Sequence, residues 1–537
     1  MTNEQFLQQF GHFIDAPNGL QKMRELILQL AVQGKLVSQD VSDELAPSWL
    51  AKFDAVDDVV ALQGWKIVKF SDIFDIKGGS QPPKSQFIEQ PKEGYVRLLQ
   101  IRDFGPKPVP VYVPKDSVTK FCDETDVMMG RYGASVGKVF AGQVGAYNVA
   151  LIKFIFDKAK IISSYVNVFL RSASFQSHIL GVSRSAQAGF NKGDLANIPI
   201  AIPPTDEQHR IVAKVDELMA LCDQLEAERN ARVETHQRLI RAVHHPLTEA
   251  SDTATTQTAW HRIRDNFADL YTTLESVQEF RQVILALAMK GKLISQEPTD
   301  EPAAVLLDKI RKQRANLVAE GKIKKIKQLP PLVADNAPYV LPTGWEWARF
   351  PELGGFGRGK SKHRPRNDPA LYSGGTIPLV QTGDVARANG LIRTCTAYYN
   401  DKGLAQSYLW PAGTMCITIA ANIADTGILS IAACFPDSVV GFIPSELIGN
   451  ARYFEYFTRT AKERLQDFAP STAQKNINLG ILETVMIPLP PANEATRIVE
   501  KVDHLMALCD LLEDNIHDKS DTANRYAEAI VQQIAAA

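Results

Sequence analysis

Arg210-Ile211-Val212-x-Lys214-Val215-Asp216-x-Leu218-Met219-Ala220-Leu221-Cys222-Asp223-x-Leu225-Glu226 returns 287 residues later as Arg497-Ile498-Val499-x-Lys501-Val502-Asp503-x-Leu505-Met506-Ala507-Leu508-Cys509-Asp510-x-Leu512-Glu513, with only the positions written x differing. A second phrase, Ile27-Leu28-x-Leu30-Ala31-x-x-Gly34-Lys35-Leu36-Val37-Ser38-Gln39, recurs 257 residues later as Ile284-Leu285-x-Leu287-Ala288-x-x-Gly291-Lys292-Leu293-Ile294-Ser295-Gln296. Repetition of this length specifies two tandem copies of one unit. Between the shared phrases each copy encloses an insert, residues 62–203 and 342–490, in which the two halves barely agree. The frame is common to both copies and the insert is private to each.

The long phrase reads as a helix with a heptad seam. Ile211, Val215, Leu218, Cys222 and Leu225 step by 4, 3, 4, 3, and Ile498, Val502, Leu505, Cys509 and Leu512 repeat the steps. Pro203-Pro204 and Pro490-Pro491 announce the two helices, with Thr205 or Asp206 and Asn493 as candidate caps. A single helix over 206–244 measures about 58 Å at ~1.5 Å per residue, long enough to act as a spacer. Beyond Leu225 the seam turns polar at Arg229, Arg232 and His236, through exposure or to meet another chain, whereas the second copy continues through Ala523, Tyr526 and Ile530. The short phrase reads as an amphipathic helix ending at Gly34 or Gly291, with Leu20, Met23, Ile27 and Leu30, or Val277, Phe280, Ile284 and Leu287, on its apolar face.

The inserts have another texture. Runs such as Tyr95-Val96-Arg97-Leu98-Leu99 and Met415-Cys416-Ile417-Thr418-Ile419, broken by Gly, Pro, Asn and Asp, predict α+β domains. Both inserts open with Gly-Trp and a basic-Phe pair (Gly64-Trp65 and Lys69-Phe70; Gly344-Trp345 and Arg349-Phe350), and both close with Ala-Gln-x-x-x-Asn, at Ala186, Gln187, Asn191 and at Ala473, Gln474, Asn478. The expected division is an N-terminal helical region over 1–61, the first insert over 62–203 and a central long helix over 204–245. A linker, the second short helix and a basic segment follow over 246–341, then the second insert over 342–490 and a C-terminal long helix over 491–537. The Thr-, Ala- and Ser-rich stretch 246–259 is the expected linker between copies, and the extra material within 297–340 carries Lys309, Arg311, Lys312, Arg314, Lys322, Lys324, Lys325 and Lys327.

At 537 residues, with 45% apolar and 22% charged residues, the chain has room for several globular domains of ordinary soluble composition. No leader-like segment and no apolar run of the ~20 residues a membrane span needs is read, so no membrane association and a cytoplasmic location are expected. The six cysteines lack C-x-x-C spacing, and none is read as a metal ligand; Cys222 and Cys509 fall on the seam as core fillers. The net charge of −2 conceals a segregation. Residues 62–203 carry 18 Lys/Arg against 11 Asp/Glu and residues 342–490 carry 14 against 12, so positive charge sits in the inserts, where a polyanion would be gripped.

Gly354-x-x-x-x-Gly359-Lys360-Ser361 satisfies the phosphate-loop pattern. The helix such a loop requires is contradicted by Lys362-His363-Arg364-Pro365-Arg366-Asn367-Asp368-Pro369, and Lys77-Gly78-Gly79-Ser80-Gln81-Pro82-Pro83 in the other copy lacks Gly-Lys-Ser. The same residues suit a DNA-backbone loop, with glycines for close approach and Lys360, Lys362, Arg364 and Arg366 to neutralise phosphates. No Asn/Asp-Pro-Pro-aromatic motif, nuclease carboxylate cluster or nucleophile-histidine-acid arrangement is read, so no catalytic residue is assigned. Arg and Lys pair bidentately with guanine, and Asn and Gln with adenine. Candidate readers are Arg97, Gln100, Arg102, Arg131, Lys138, Arg184 and Gln187 in the first insert, and Lys360, Arg364, Arg366, Gln381, Arg387, Gln474 and Lys475 in the second. Gln187 with Asn191, and Gln474 with Asn478, serve equally well as turn-holding residues, since both copies keep them.

The whole-chain arrangement resembles the specificity subunit of a type I restriction-modification system. The resemblance is carried by the Gly-Trp openings, the closing Ile198-Pro199-Ile200-Ala201-Ile202-Pro203-Pro204 and Met486-Ile487-Pro488-Leu489-Pro490-Pro491 stretches, and Glu207-Gln208-x-Arg210-Ile211-Val212. The second copy departs from the pattern with Glu494-Ala495, where a polar contact at the helix start is expected to be lost. The resemblance implies an α+β chain: two α/β target recognition domains separated by long antiparallel coiled-coil helices, an internal tandem duplication with pseudo-two-fold symmetry. Each insert would read one half of a split target in double-stranded DNA, with the helices setting a half-site spacing of roughly one ~34–36 Å turn. The helices would dock two methyltransferase subunits that bring S-adenosylmethionine and flip a base, adenine being the expected one. Restriction/translocase subunits would supply ATP- and Mg-dependent cleavage, leaving this chain without a bound cofactor. Two alternatives stand beside this reading: a coiled-coil scaffold whose inserts bind proteins, and a phosphate-loop enzyme.

Overall fold

The computed structural model describes residues 16–40, 43, 48–53, 64–182, 190–249, 253–321, 323, 329, 331, 337–467 and 477–536. The chain divides into two compact units, Met1–Glu234 with His517–Ala537, and Thr235–Ile516. Each of two 45-residue helices, Thr205–Glu249 and Ala492–Ala536, contributes to both units.

In the first unit the short helix Gly19–Val32 buries Leu20, Met23, Ile27 and Leu30. It stops at Gly34, whose φ of +68° lets the chain reverse. The N–H of Lys35 then reaches the carbonyl of Leu30 (2.9 Å) and that of Gly34 reaches Ala31 (3.3 Å), so two end carbonyls are satisfied. The start of the first long helix, through Ile211, Val215, Leu218 and Cys222, shares one core with Ala527 and Ile530 from the end of the second. In the second unit Leu274–Met289 stops in the same way at Gly291, φ +66°. There Ile498, Val502 and Cys509 from the start of the second long helix share a core with Ile240 and Leu247 from the end of the first. Start pairs with end in both units, the order expected of antiparallel helices. Truncating a fully buried seam residue such as Ile211 or Ile498 to Ala would cost roughly 2–5 kcal/mol.

Each insert is closed at its base by an antiparallel pair, Lys66–Lys69 with Pro199–Ile202 and Glu346–Ala348 with Ile487–Leu489. Above it lies a four-stranded order common to both: Asp75–Gly78, Leu151–Ile155, Val127–Gly130, Val139–Ala141 in the first, and Gly354–Arg358, Val439–Pro444, Met415–Thr418, Thr426–Leu429 in the second. The second insert adds Gly390–Ile392, parallel to Thr426–Leu429.

The structure corrects local expectations at the helix starts and along the second seam, and adds detail elsewhere. The long helices begin at Thr205 and Ala492, so Thr205, Asp206 and Asn493 lie inside the first turn. The proline carbonyls take the first helical N–H groups instead (Gln208 to Pro204, 2.9 Å; Ala495 to Pro491, 2.8 Å), and Asn493 hydrogen-bonds Asp300. The described residues of the stretch 246–259 are helical: the long helix runs to Glu249, and Thr253–Asp265 is a further helix in which Ala259 and Ile263 are buried. Tyr526 is 51% exposed, and the seam passes through Ala527. Within 297–340, Ala303–Ala319 is a helix packed through Leu306, Leu307 and Ile310, with Arg314 donating to the carbonyl of Gly354 (2.9 Å); Lys322, Lys324, Lys325 and Lys327 lie outside the described residues.

Candidate nucleic-acid interface

In each copy the short helix, the segment after it and the base of the insert are tied to a long helix by polar contacts that the sequence repeats. Arg24 on the short helix pairs with Asp223 (2.8 Å) and Glu226 (2.6 Å), and Arg281, the equivalent in the second copy, pairs with Asp510 and Glu513. Arg210 in the first turn of one long helix holds Asp43, and Arg497 in the other holds Asp300 (2.6 Å); in each case the guanidinium keeps the carboxylate below its ordinary pKa. Glu207 is buried and accepts the Trp65 indole N–H at 3.0 Å. Burial raises the carboxyl pKa of Glu207 and of its counterpart Glu494. Gln208 adds bonds to Ile162, Lys160 and Pro203, and Ala495 supplies none of them, so the polar contact expected to be missing from the second copy is missing. Further along the second long helix Arg452 reaches Asp503 (3.1 Å), which also accepts the Tyr456 hydroxyl.

The outer parts of the inserts are shaped by a turn that sequence reasoning missed. Asp103, 4% exposed, accepts the backbone N–H of Gln100 (2.7 Å) and Nη2 of Arg97 (3.4 Å). Asp384, 5% exposed, accepts the N–H of Gln381 (2.9 Å), Nη2 of Arg387 (2.8 Å) and the Thr396 hydroxyl (3.3 Å). The signal was present as Gln-x-x-Asp in both inserts. Gln100 and Arg102 therefore belong to one turn, with Arg102 exposed and Arg97 reaching it from the preceding strand, and Gln381 and Arg387 flank its equivalent.

A second repeated feature is a tight hairpin. In the first insert Gly130 accepts from Gly137 (3.2 Å) and donates to Lys138 (2.9 Å), enclosing Gly133 at φ +60° and Gly137 at +80°. In the second, Thr418 accepts from Ala424 (2.8 Å) and donates to Asp425 (3.0 Å), enclosing Ala421 at φ +65° and Ala424 at +62°. Arg131 donates through Nε to the carbonyl of Phe190 (3.2 Å) and lies 5.1 Å over the ring of Tyr132, itself 46% exposed, while Lys138 is exposed on the same hairpin.

The phosphate-loop pattern folds otherwise. Gly354–Arg358 is a strand paired with Val439–Pro444, and residues 360–368 are irregular, with no helix behind Lys360. Arg364 donates to the carbonyls of Ser361 (2.7 Å) and His363 (2.8 Å), and Arg366 pairs with Asp437 (2.6 Å), so these two shape the loop. Lys360 and Lys362 are exposed, with no side-chain partner among the described residues. Arg184, Gln187, Gln474 and Lys475 lie outside the described residues; Asn191 and Asn478 each cap the helix that follows. Among the described residues no group of three or more His, Cys, Asp or Glu could hold a metal ion, and no helix is long and apolar enough to cross a membrane.

Residues 63–235 and 342–519 match the family described as the type I restriction modification DNA specificity domain. The chain is 28% identical over 567 residues to the type I restriction enzyme EcoAI specificity subunit of Escherichia coli, spanning 95% of this chain and 93% of that protein. It is 28% identical over 569 residues to the EcoEI specificity subunit of the same organism, with the same coverage. Its fold is similar, at a TM-score of 0.50 and 15% identity, to a chain in a structure concerned with complex assembly and conformational transition of the type I R-M system, covering 88% of this chain and 97% of that one.

Proposed function

The chain belongs to the type I restriction-modification DNA specificity family, as a non-catalytic DNA-recognition subunit, and we propose that each of its recognition domains reads one half of a bipartite DNA target. The observation that carries this reading is a shared scaffold with private tips. Both domains keep the same strand order and the same buried Gln-x-x-Asp turn, yet they display different side chains on it. A pair of modules built to read two different half-sites in one mount requires that combination.

In this reading the two long helices fix the spacing between half-sites and dock two methyltransferase subunits in the cytoplasm. Those subunits bind S-adenosylmethionine and methylate adenine at N6. Restriction/translocase subunits, using ATP and Mg, cleave unmodified DNA. This chain supplies the address and holds no cofactor.

The test is co-expression with a methyltransferase subunit, followed by sequencing of the methylated positions in host DNA. Residues 62–203 are then exchanged for the corresponding segment of another family member. A split motif of which one half changes supports the reading; methylation that does not depend on this chain overturns it and favours a protein-binding scaffold.

A further inference from the structure

Resting on the DNA-recognition reading, we infer which edge of each recognition domain meets the bases: residues 80–81 with 120–121 in the first domain, and 360–362 with 408–409 in the second, with Phe121 and Tyr408 as apolar contacts to DNA. The backbone of this edge is the same in both domains. Gly79 donates to Leu151 (3.2 Å) and Ser80 to Tyr147 (2.9 Å), as Gly359 donates to Val439 (2.8 Å) and Lys360 to Phe435 (3.0 Å). Both glycines are forced by close approach, because a Cβ would stand 2.2 Å from the Asn148 carbonyl oxygen or 2.3 Å from that of Phe435. On the adjoining segment Cys122 lies opposite Gly145, and Trp410 opposite Ala433. This registration sets Ser80 against Lys360, Lys120 against Tyr408 and Phe121 against Leu409.

The scaffold agrees at this edge while every displayed side chain differs, as two half-site readers require. The displayed groups are also unusually apolar for a surface: Phe121 is 39% exposed, Tyr408 53% and Leu409 42%. Tyr408 stands edge-on against Trp410 (5.1 Å, 84°), which stacks on Phe435 (4.9 Å, 19°), and both supports are buried. The ring is therefore presented by a rigid aromatic column. The basic loop is tied to the same segment, since Ser407 Oγ donates to the Lys360 carbonyl (2.7 Å) and Gln406 Oε1 accepts the N–H groups of Lys362 (2.6 Å) and His363 (3.0 Å). A fixed aromatic ring on a segment tied to a loop that carries two exposed lysines matches double-stranded DNA, with the cations on phosphates and the ring against a base step or thymine methyl.

The experiment uses the full chain expressed with a methyltransferase subunit, in wild-type, Phe121→Ala, Tyr408→Ala and Tyr408→Phe forms. Methylated positions are sequenced, and binding is measured to a duplex carrying the mapped motif. Phe121→Ala and Tyr408→Ala should each relax base choice in one half of the motif, opposite halves for the two variants, and weaken binding about ten-fold, while Tyr408→Phe keeps the ring and the specificity. If both alanine variants methylate the wild-type motif with unchanged base choice, the edge is misassigned although DNA recognition stands. The edge is equally misassigned if Tyr408→Ala lowers methylation only by releasing the methyltransferase subunit, which would make it a protein contact. If the wild-type chain directs no split motif at all, the underlying reading fails.

Discussion

Ala421 holds the same left-handed hairpin position as Gly133, with φ of +65° against +60°. An alanine there costs about 1–2 kcal/mol of steric strain that glycine escapes. Strain kept in a loop persists only where the surrounding structure fixes the loop's shape. Ala421→Gly should raise the stability of the second unit by roughly 0.5–1 kcal/mol, the relief being partly offset by the freer unfolded chain. Urea unfolding checks this, and a destabilised variant would show that the alanine methyl packs against something essential. The same change should loosen base choice in one half-site only.

Glu207 and Trp65 permit a sharper experiment. Glu207→Ala leaves the buried indole N–H without its acceptor and should cost about 1–3 kcal/mol. Glu207→Gln keeps an acceptor and removes a carboxyl whose pKa burial raises in the folded chain. A raised folded pKa gives stability that is present below the unfolded value of ~4.3 and lost as pH rises through the folded one. The Gln variant should therefore gain on wild type between pH 4 and pH 7. A constant difference across that range would mean that the carboxyl is not desolvated.

What was legible in the sequence was whatever rests on periodicity. The seam through Ile211, Val215, Leu218 and Cys222 is buried as its heptad spacing requires, and Gly34 and Gly291 end their helices in the left-handed conformation. Contacts between distant residues were not legible. Nothing local marks Arg24 as the partner of Asp223, or Arg210 as that of Asp43, and Arg364 reads as a phosphate ligand until its guanidinium is found on main-chain carbonyls. The helix over Thr253–Asp265 is hard to read from sequence because Thr and Ala outnumber its few buried apolar residues. Tyr408 carries no local signal, because its setting depends on Trp410 and Phe435 beneath it.

His244 makes the second unit sensitive to acid. It is buried against Tyr271 and Phe280, shares a 2.9 Å hydrogen bond with the Tyr271 hydroxyl, and is pushed by burial down to about 4. The unfolded chain takes up this proton near pH 6.5 and the folded chain only near 4, so the contribution is intact above 6.5 and lost as pH falls through that window. The loss is at most about 3 kcal/mol. His244→Gln should flatten this part of the stability profile. Parallel wild-type and variant curves between pH 7 and pH 4 would show that His244 does not titrate in the window.

The four cations of the 360–366 loop should separate into two classes on DNA. Lys360 and Lys362 are exposed, with no side-chain partner among the described residues, whereas Arg366 is held by Asp437 and Arg364 by two carbonyls. A cation that neutralises a phosphate releases a counterion, contributing about 0.9 to the slope of log binding constant against log salt. Lys360→Ala and Lys362→Ala should each make the slope shallower by roughly that amount and weaken all sequences alike. Arg366→Ala exchanges an internal ion pair for solvent and leaves Asp437 unneutralised beside the loop, so it should weaken binding while barely changing the slope. Titrations at several salt concentrations decide the matter. Three equal slope changes would mean that Arg366 leaves its internal partner for phosphate, and three unchanged slopes would move the backbone contact away from this loop.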